Sequence, residues 1–115
     1  TAAKPLEDDL PRLAERMAKL YREWSQAFVE TGTNCAAATA RMTGLVDANR
    51  DLSEALRRVL KAGHVRVKAF RVEREKYDAE IDANAKAIFE SKTLAACKND
   101  AAFTRALERL GGDDT

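Results

Sequence analysis

The sequence predicts an all-α protein, an up-and-down antiparallel helical bundle of three long helices plus a short C-terminal helix. Three observations predict it. Alanine makes up 22 of the 115 residues and charged side chains a further 34%. Alanine and long charged residues lose little rotamer freedom in a helix. Valine and isoleucine number only six and two, so a sheet is poorly supplied. Apolar residues recur at steps of three and four, which keeps them on one helix face.

Residues 1–9 read as a frayed tail or a short turn. Pro5 followed by Glu7, Asp8 and Asp9 resembles a helix start, since proline suits the first turn and acids suit the positive dipole end. Pro11 would kink a helix begun there, so the first long helix is expected from about Leu10. Its stripe is Leu10, Leu13, Met17, Leu20, Trp24, Ala27 and Phe28, and Gly32 ends it.

Thr33 or Asn34 can cap the second helix. Its stripe, Ala38, Met42, Leu45, Asn49, Leu52, Leu56 and Val59, is close to a heptad seam. Gly63 can supply a left-handed closing turn. The third helix carries Val67, Phe70, Arg74, Tyr77, Ile81, Ala85 and Ile88 inward. On its outer face Arg71 with Glu75, Lys76 with Glu80 and Asp82 with Lys86 stand four apart, the spacing of ion pairs on a solvated side. Asn49 and Arg74 interrupt the seams, and Tyr77 falls near the level of Asn49, placed to share a hydrogen bond.

Glu90-Ser91-Lys92-Thr93 weakens the pattern. A last short helix fits Ala101 to Leu110, capped by Asp100, with Phe103, Leu107 and Leu110 inward. Residues 111–115 read as a second frayed tail. Neither a repeat nor a linker divides the chain, so residues 1–115 are expected to form one domain.

One junction decides the architecture. Between Arg58 and Phe70 only Gly63 breaks the pattern, and a lone glycine costs about 1 kcal/mol in a helix without having to stop it. An unbroken helix over 34–90 would be about 85 Å long and would need a partner chain to cover its seam. A hairpin at Ala62-Gly63-His64 buries the same seam within one molecule, and typical helix lengths favour it.

The hairpin has a consequence for the two cysteines. Cys35 opens the second helix and Cys97 comes just after the third, so both fall at one end of the bundle. A disulfide requires α-carbons within about 7 Å. Closing a loop of this length stabilises by about 4 kcal/mol in the chain-entropy model. The alternative is two unrelated buried thiols acting as small apolar residues. With no CxxC spacing, a redox-active pair is not expected.

Other chemistry is poorly supplied. His64 is the single histidine, and by helix rise it lies about 40 Å from the cysteines. No metal site is expected, and no Glu-x-x-His exists for a di-iron bundle. A haem would need His64 with Met17 or Met42, which lie at different heights, and no CxxCH attaches one. No serine, histidine and carboxylate set, and no glycine-rich phosphate loop, is recognisable. No catalytic residues and no cofactor are therefore expected.

Net charge is +1, so the chain as a whole is not a polyanion binder. Its charge is uneven, however. Residues 57–76 hold Arg57, Arg58, Lys61, Arg66, Lys68, Arg71, Arg74 and Lys76 against Glu73 and Glu75. A hairpin gathers these cations at one end, where an anionic surface is a candidate partner. Arg57, Arg58, Lys61, Arg66 and Lys68 are the candidate anion-binding residues. Equally, Arg57, Arg58 and Lys61 suit the negative end of the second helix. No exposed aromatics interleave them, so nucleic acid is not the expected ligand.

No apolar run reaches the roughly 20 residues of a membrane span. The opening Thr1-Ala2-Ala3-Lys4-Pro5, without methionine, fits a chain released from a signal peptide or a lipid-tethered leader, and equally a cut fragment. Together with the cysteines, this gives the expectation of a small non-enzymatic domain outside the cytoplasm (periplasmic, secreted or lipid-tethered) with a structural or protein-binding role. The alternative is a cytoplasmic adaptor, dimeric through a continuous helix, that binds an anionic partner through residues 57–76.

Overall fold

The computed structural model describes residues 4–111, and no strand occurs among them. The helices are α1 (Leu10–Thr31), α2 (Cys35–Ala48), α3 (Arg50–Lys61), α4 (His64–Glu75), α5 (Asp78–Phe89), α6 (Lys92–Cys97) and α7 (Ala101–Leu110), preceded by a 3-10 turn, Leu6–Asp8. The all-helical class holds. Three long helices plus a short one do not, because the described residues form seven helices. The expected second and third helices are each broken once, and α6 has no counterpart in the apolar pattern.

Caps set most of the boundaries. The Asp9 carboxylate accepts from the Arg12 amide at 3.3 Å, and Pro11 sits in the first turn, where no donor is needed. Asn34, rather than Thr33, caps α2 by accepting from the Ala37 amide at 3.0 Å. Asp100 does the same for α7 with Phe103 at 3.0 Å. Gly32 and Gly63 take φ of 55° and 102°, a region closed to most L-residues. Gly63 separates α3 from α4, which pack on each other. The largest molecular extent is 41 Å and the radius of gyration 14.8 Å, so the rod of about 85 Å is excluded.

The break between α2 and α3 arises at Asn49. Its amide hydrogen is shared between the Leu45 and Val46 carbonyls at 3.1 and 3.3 Å. Its side-chain amide also donates to the Leu45 carbonyl at 2.8 Å. A short polar side chain that bonds its own helix backbone competes with the ladder. Arg16 completes the site by donating to Asn49 Oδ1 at 3.2 Å and to both oxygens of Asp51 at 2.8 and 2.9 Å. Asn49 is thus served by Arg16 and its own backbone, not by Tyr77. The second break falls at Lys76 and Tyr77, whose amides reach back three residues, to Glu73 and Arg74, the tighter 3-10 spacing.

Both breaks fall near the border between two apolar clusters. One holds Leu6, Leu13, Leu20, Leu52, Ala55 and Val59, with Val67 and Phe70 at its edge. The other holds Trp24, Phe28, Ala38, Met42, Ile88, Cys97, Phe103 and Ala106. Leu45 and Leu110 touch both. Around the second cluster α7 packs along α2 while α5 packs along α1. The last helix is therefore part of the core, and Phe103 is fully buried. Its ring stacks on Phe28, with centroids 5.7 Å apart, and Phe28 meets Trp24 edge-on at 6.4 Å.

Two further corrections concern segments expected as tail or weak pattern. Residues 1–3 and 112–115 lie outside the described residues; of the two readings of residues 1–9, the short turn is the one found, at Leu6–Asp8. Leu6 is buried, and Glu7 and Asp8 bind α3 and α4 through Arg58 and Arg66. In the weak stretch, Ser91 caps α6 by accepting from the Leu94 amide at 3.0 Å. Thr93 is buried and donates to the Phe28 carbonyl at 2.9 Å. A helix end leaves such carbonyls without full intrahelical pairing, so Thr93 seals the end of α1 with a group from α6.

Candidate functional site

The two ends of the molecule carry different chemistry. At one end the structure brings Cys35 and Cys97 to bonding distance, with sulfurs 2.07 Å and α-carbons 5.5 Å apart. Cys35 is the first residue of α2 and Cys97 the last of α6. Cys97 is buried in the aromatic cluster and Cys35 is partly buried against it. The link spans 62 residues and joins the start of α2 to the segment that delivers α7.

At the opposite end, Leu60, Lys61, Ala62, Gly63, His64 and Val65 are all exposed. The candidate cations surround this tip but are not equivalent. Arg58 pairs with Glu7 at 3.0 Å. Arg66 donates to the Glu7 carbonyl and pairs with Asp8 at 3.3 Å. These two hold the 3-10 turn onto the bundle, a structural use that no local sequence signal marks. Arg57, Lys61 and Lys68 are exposed, and so is Arg71. None of these four has an ion pair or side-chain hydrogen bond among the described residues.

The rest of the basic region is neutralised. Arg74 pairs with Asp78 at 3.5 Å and Lys76 with Glu73 at 2.7 Å. The hydrogen bond from Lys76 to Glu73 holds the ammonium above its usual pKa. The i,i+4 pairs expected on the third helix do not form among the described residues: Glu80 instead binds Arg22 of α1 at 2.6 Å. Glu80 reaches Arg22 because α5 packs along α1, while Lys76 turns to Glu73 within its own helix end.

A cavity of about 190 Å³ lies among Tyr21, Trp24, Ala85, Ile88, Leu107 and Glu108. Trp24 is 4% exposed and its indole N–H has no hydrogen-bond partner. That donor is sealed from solvent whereas the cavity admits it, so the unmet N–H does not open into the cavity. The remaining lining is mainly aliphatic and aromatic, without convergent polar groups. It offers shape but little recognition chemistry. Among the described residues no three histidine, cysteine or carboxylate side chains gather as metal ligands, and no helix is long and apolar enough to cross a membrane.

Comparison with known proteins adds nothing to this geometry: no family model, no curated protein and no solved structure matches the chain.

Proposed function

We propose that this chain is a small non-enzymatic helical domain of an oxidising, extracytoplasmic compartment, with a structural or partner-binding role. The observation that carries the reading is the Cys35 and Cys97 pair at bonding distance. Disulfides persist in secreted and periplasmic proteins and are rare where glutathione and thioredoxin keep thiols reduced. The test is a fusion of the gene, with its natural upstream sequence, to an alkaline phosphatase that is active only after forming its own disulfides. Activity in intact cells is the expected result. An inactive fusion that accumulates as stable reduced protein overturns the reading.

A second reading is favoured by the unpaired cations. Arg57, Lys61, Lys68 and Arg71 stand free around one tip, whereas Arg58 and Arg66 are engaged. In this reading the tip binds an anionic partner. Retention on heparin that weakens with added salt, and that drops in Arg57→Ala/Lys61→Ala/Lys68→Ala, supports it. Retention insensitive to salt or to the triple substitution counts against it.

A further inference from the structure

We propose that the α3–α4 tip docks on the surface of a lipid bilayer carrying anionic headgroups, with Leu60 and Val65 entering the headgroup boundary. The inference rests on the reading of the tip as an anion-binding end and names what it binds.

Charge alone does not single out lipid; the aliphatic residues do. Leu60 is 68% exposed, Val65 83% and Val72 53%. Arg57, Leu60 and Lys61 share the last turn of α3 at i, i+3, i+4 spacing, and Val65, Lys68 and Val72 share a face of α4 at i, i+3, i+7. The opposite face of α4 carries Val67 and Phe70 to the core. Helix α4 has no buried residue, so its outer side is available along its length. Aliphatic residues at a tip, ringed by long cationic side chains, form the pattern that enters a headgroup layer while the charges remain at its surface.

Shape separates a bilayer from a folded acidic protein. The tip is convex: all six residues from Leu60 to Val65 are exposed, and a Cβ added at Gly63 would meet nothing within 4 Å. A stable protein interface needs about 800 Å² from each partner, which a narrow convex tip does not present to a preformed surface. A fluid headgroup layer closes around it. The four free cations supply the attraction, each worth about fivefold in affinity for an anionic surface.

The experiment is vesicle co-sedimentation at low salt. It uses equimolar phosphatidylglycerol and phosphatidylcholine against phosphatidylcholine alone, with heparin retention measured in parallel. The intact chain is expected to sediment only with the anionic vesicles. Lys61→Ala/Lys68→Ala should weaken that binding by about 25-fold and reduce heparin retention too. Leu60→Ser/Val65→Ser should weaken vesicle binding by about tenfold while heparin retention is unchanged. Val29→Ser, an equally exposed aliphatic on α1 (74% exposed), should bind as wild type. All these positions are exposed, and an unchanged thermal transition verifies folding. Vesicle binding unaffected by Leu60→Ser/Val65→Ser overturns the proposal. An intact chain that is retained on heparin but does not sediment with the anionic vesicles overturns it as well, leaving a soluble or protein anion as the partner. Absence of both removes the anion-binding reading together with it.

Discussion

Arg16 reaches across 33 residues of sequence to donate to Asn49, at the point where the expected second helix breaks into α2 and α3. The same guanidinium grips Asp51 with two bonds. One arginine of α1 therefore holds the residue at the break and the first turn of α3. The pair is partly exposed, 27% for Arg16 and 58% for Asp51, so its Coulombic value is screened. The larger consequence is structural, because Asn49 is buried and Arg16 supplies its oxygen with a donor.

Replacing Arg16 by methionine should destabilise the fold by about 1–2 kcal/mol near neutral pH, since it leaves Asn49 Oδ1 without that donor. Urea denaturation measures this directly. The pH dependence has a definite sign. The Arg16 hydrogen bond, with the Arg16 charge, holds the Asp51 carboxyl below its usual value. Its contribution is complete above the unfolded pKa of about 3.9 and is lost as pH falls through the lower folded value. The gap between wild type and Arg16→Met should therefore narrow as the medium is acidified below about pH 4. A constant gap places the effect elsewhere.

Thr93→Val keeps the shape and removes the hydroxyl that meets the Phe28 carbonyl. A cost of about 1–2 kcal/mol is expected. Hydrogen exchange should show faster opening at the end of α1 and in α6, with the α3–α4 tip unaltered. Equal acceleration at both ends would argue against a local seal.

The last helix should behave as core. Phe103→Ala is expected to cost about 3–5 kcal/mol through lost burial and the cavity left behind. The exposed Phe89 (66%) should change stability by less than about 0.5 kcal/mol when replaced by alanine. Chemical denaturation of the two variants decides this. Similar small effects would mean that α7 is a dispensable appendage.

Much of the fold is legible in the sequence, and the omissions have identifiable causes. Leu10, Gly32, Asp100 and Leu110 mark real boundaries because capping and apolar phase are local properties. The inward stripes are also real: every stripe residue of the second and third helices is buried or partly buried. The breaks at Asn49 and Tyr77 escape the pattern because apolar phase runs through them. Asn49 stands out only as a polar seam residue, and its effect depends on Arg16 from another helix. Thr93 and Ser91 look like pattern loss because a cap and a buried hydroxyl leave no apolar period. Ser91 with Leu94 three residues later is the one available signal for α6. Among the candidate cations, sequence alone does not separate Arg58 and Arg66 from Arg57, Lys61 and Lys68, since the separation depends on where Glu7 and Asp8 come to rest.

The cross-link should contribute about 4 kcal/mol for a loop of this length. Cys35→Ala/Cys97→Ala should lose about that much in urea, with the largest rise in exchange in α6 and α7. A loss below about 1 kcal/mol would mean that burial alone holds this end together.

The oxidised state of the Cys35 and Cys97 pair, on which the proposed compartment depends, is tested most directly by the mass of the unreduced protein. The protein is isolated from its native compartment with free thiols alkylated at lysis. The expected product is a monomer two hydrogens lighter than the reduced chain, with no alkyl group added and one cross-linked peptide pair containing Cys35 and Cys97. Two alkylated cysteines in that protein would contradict it.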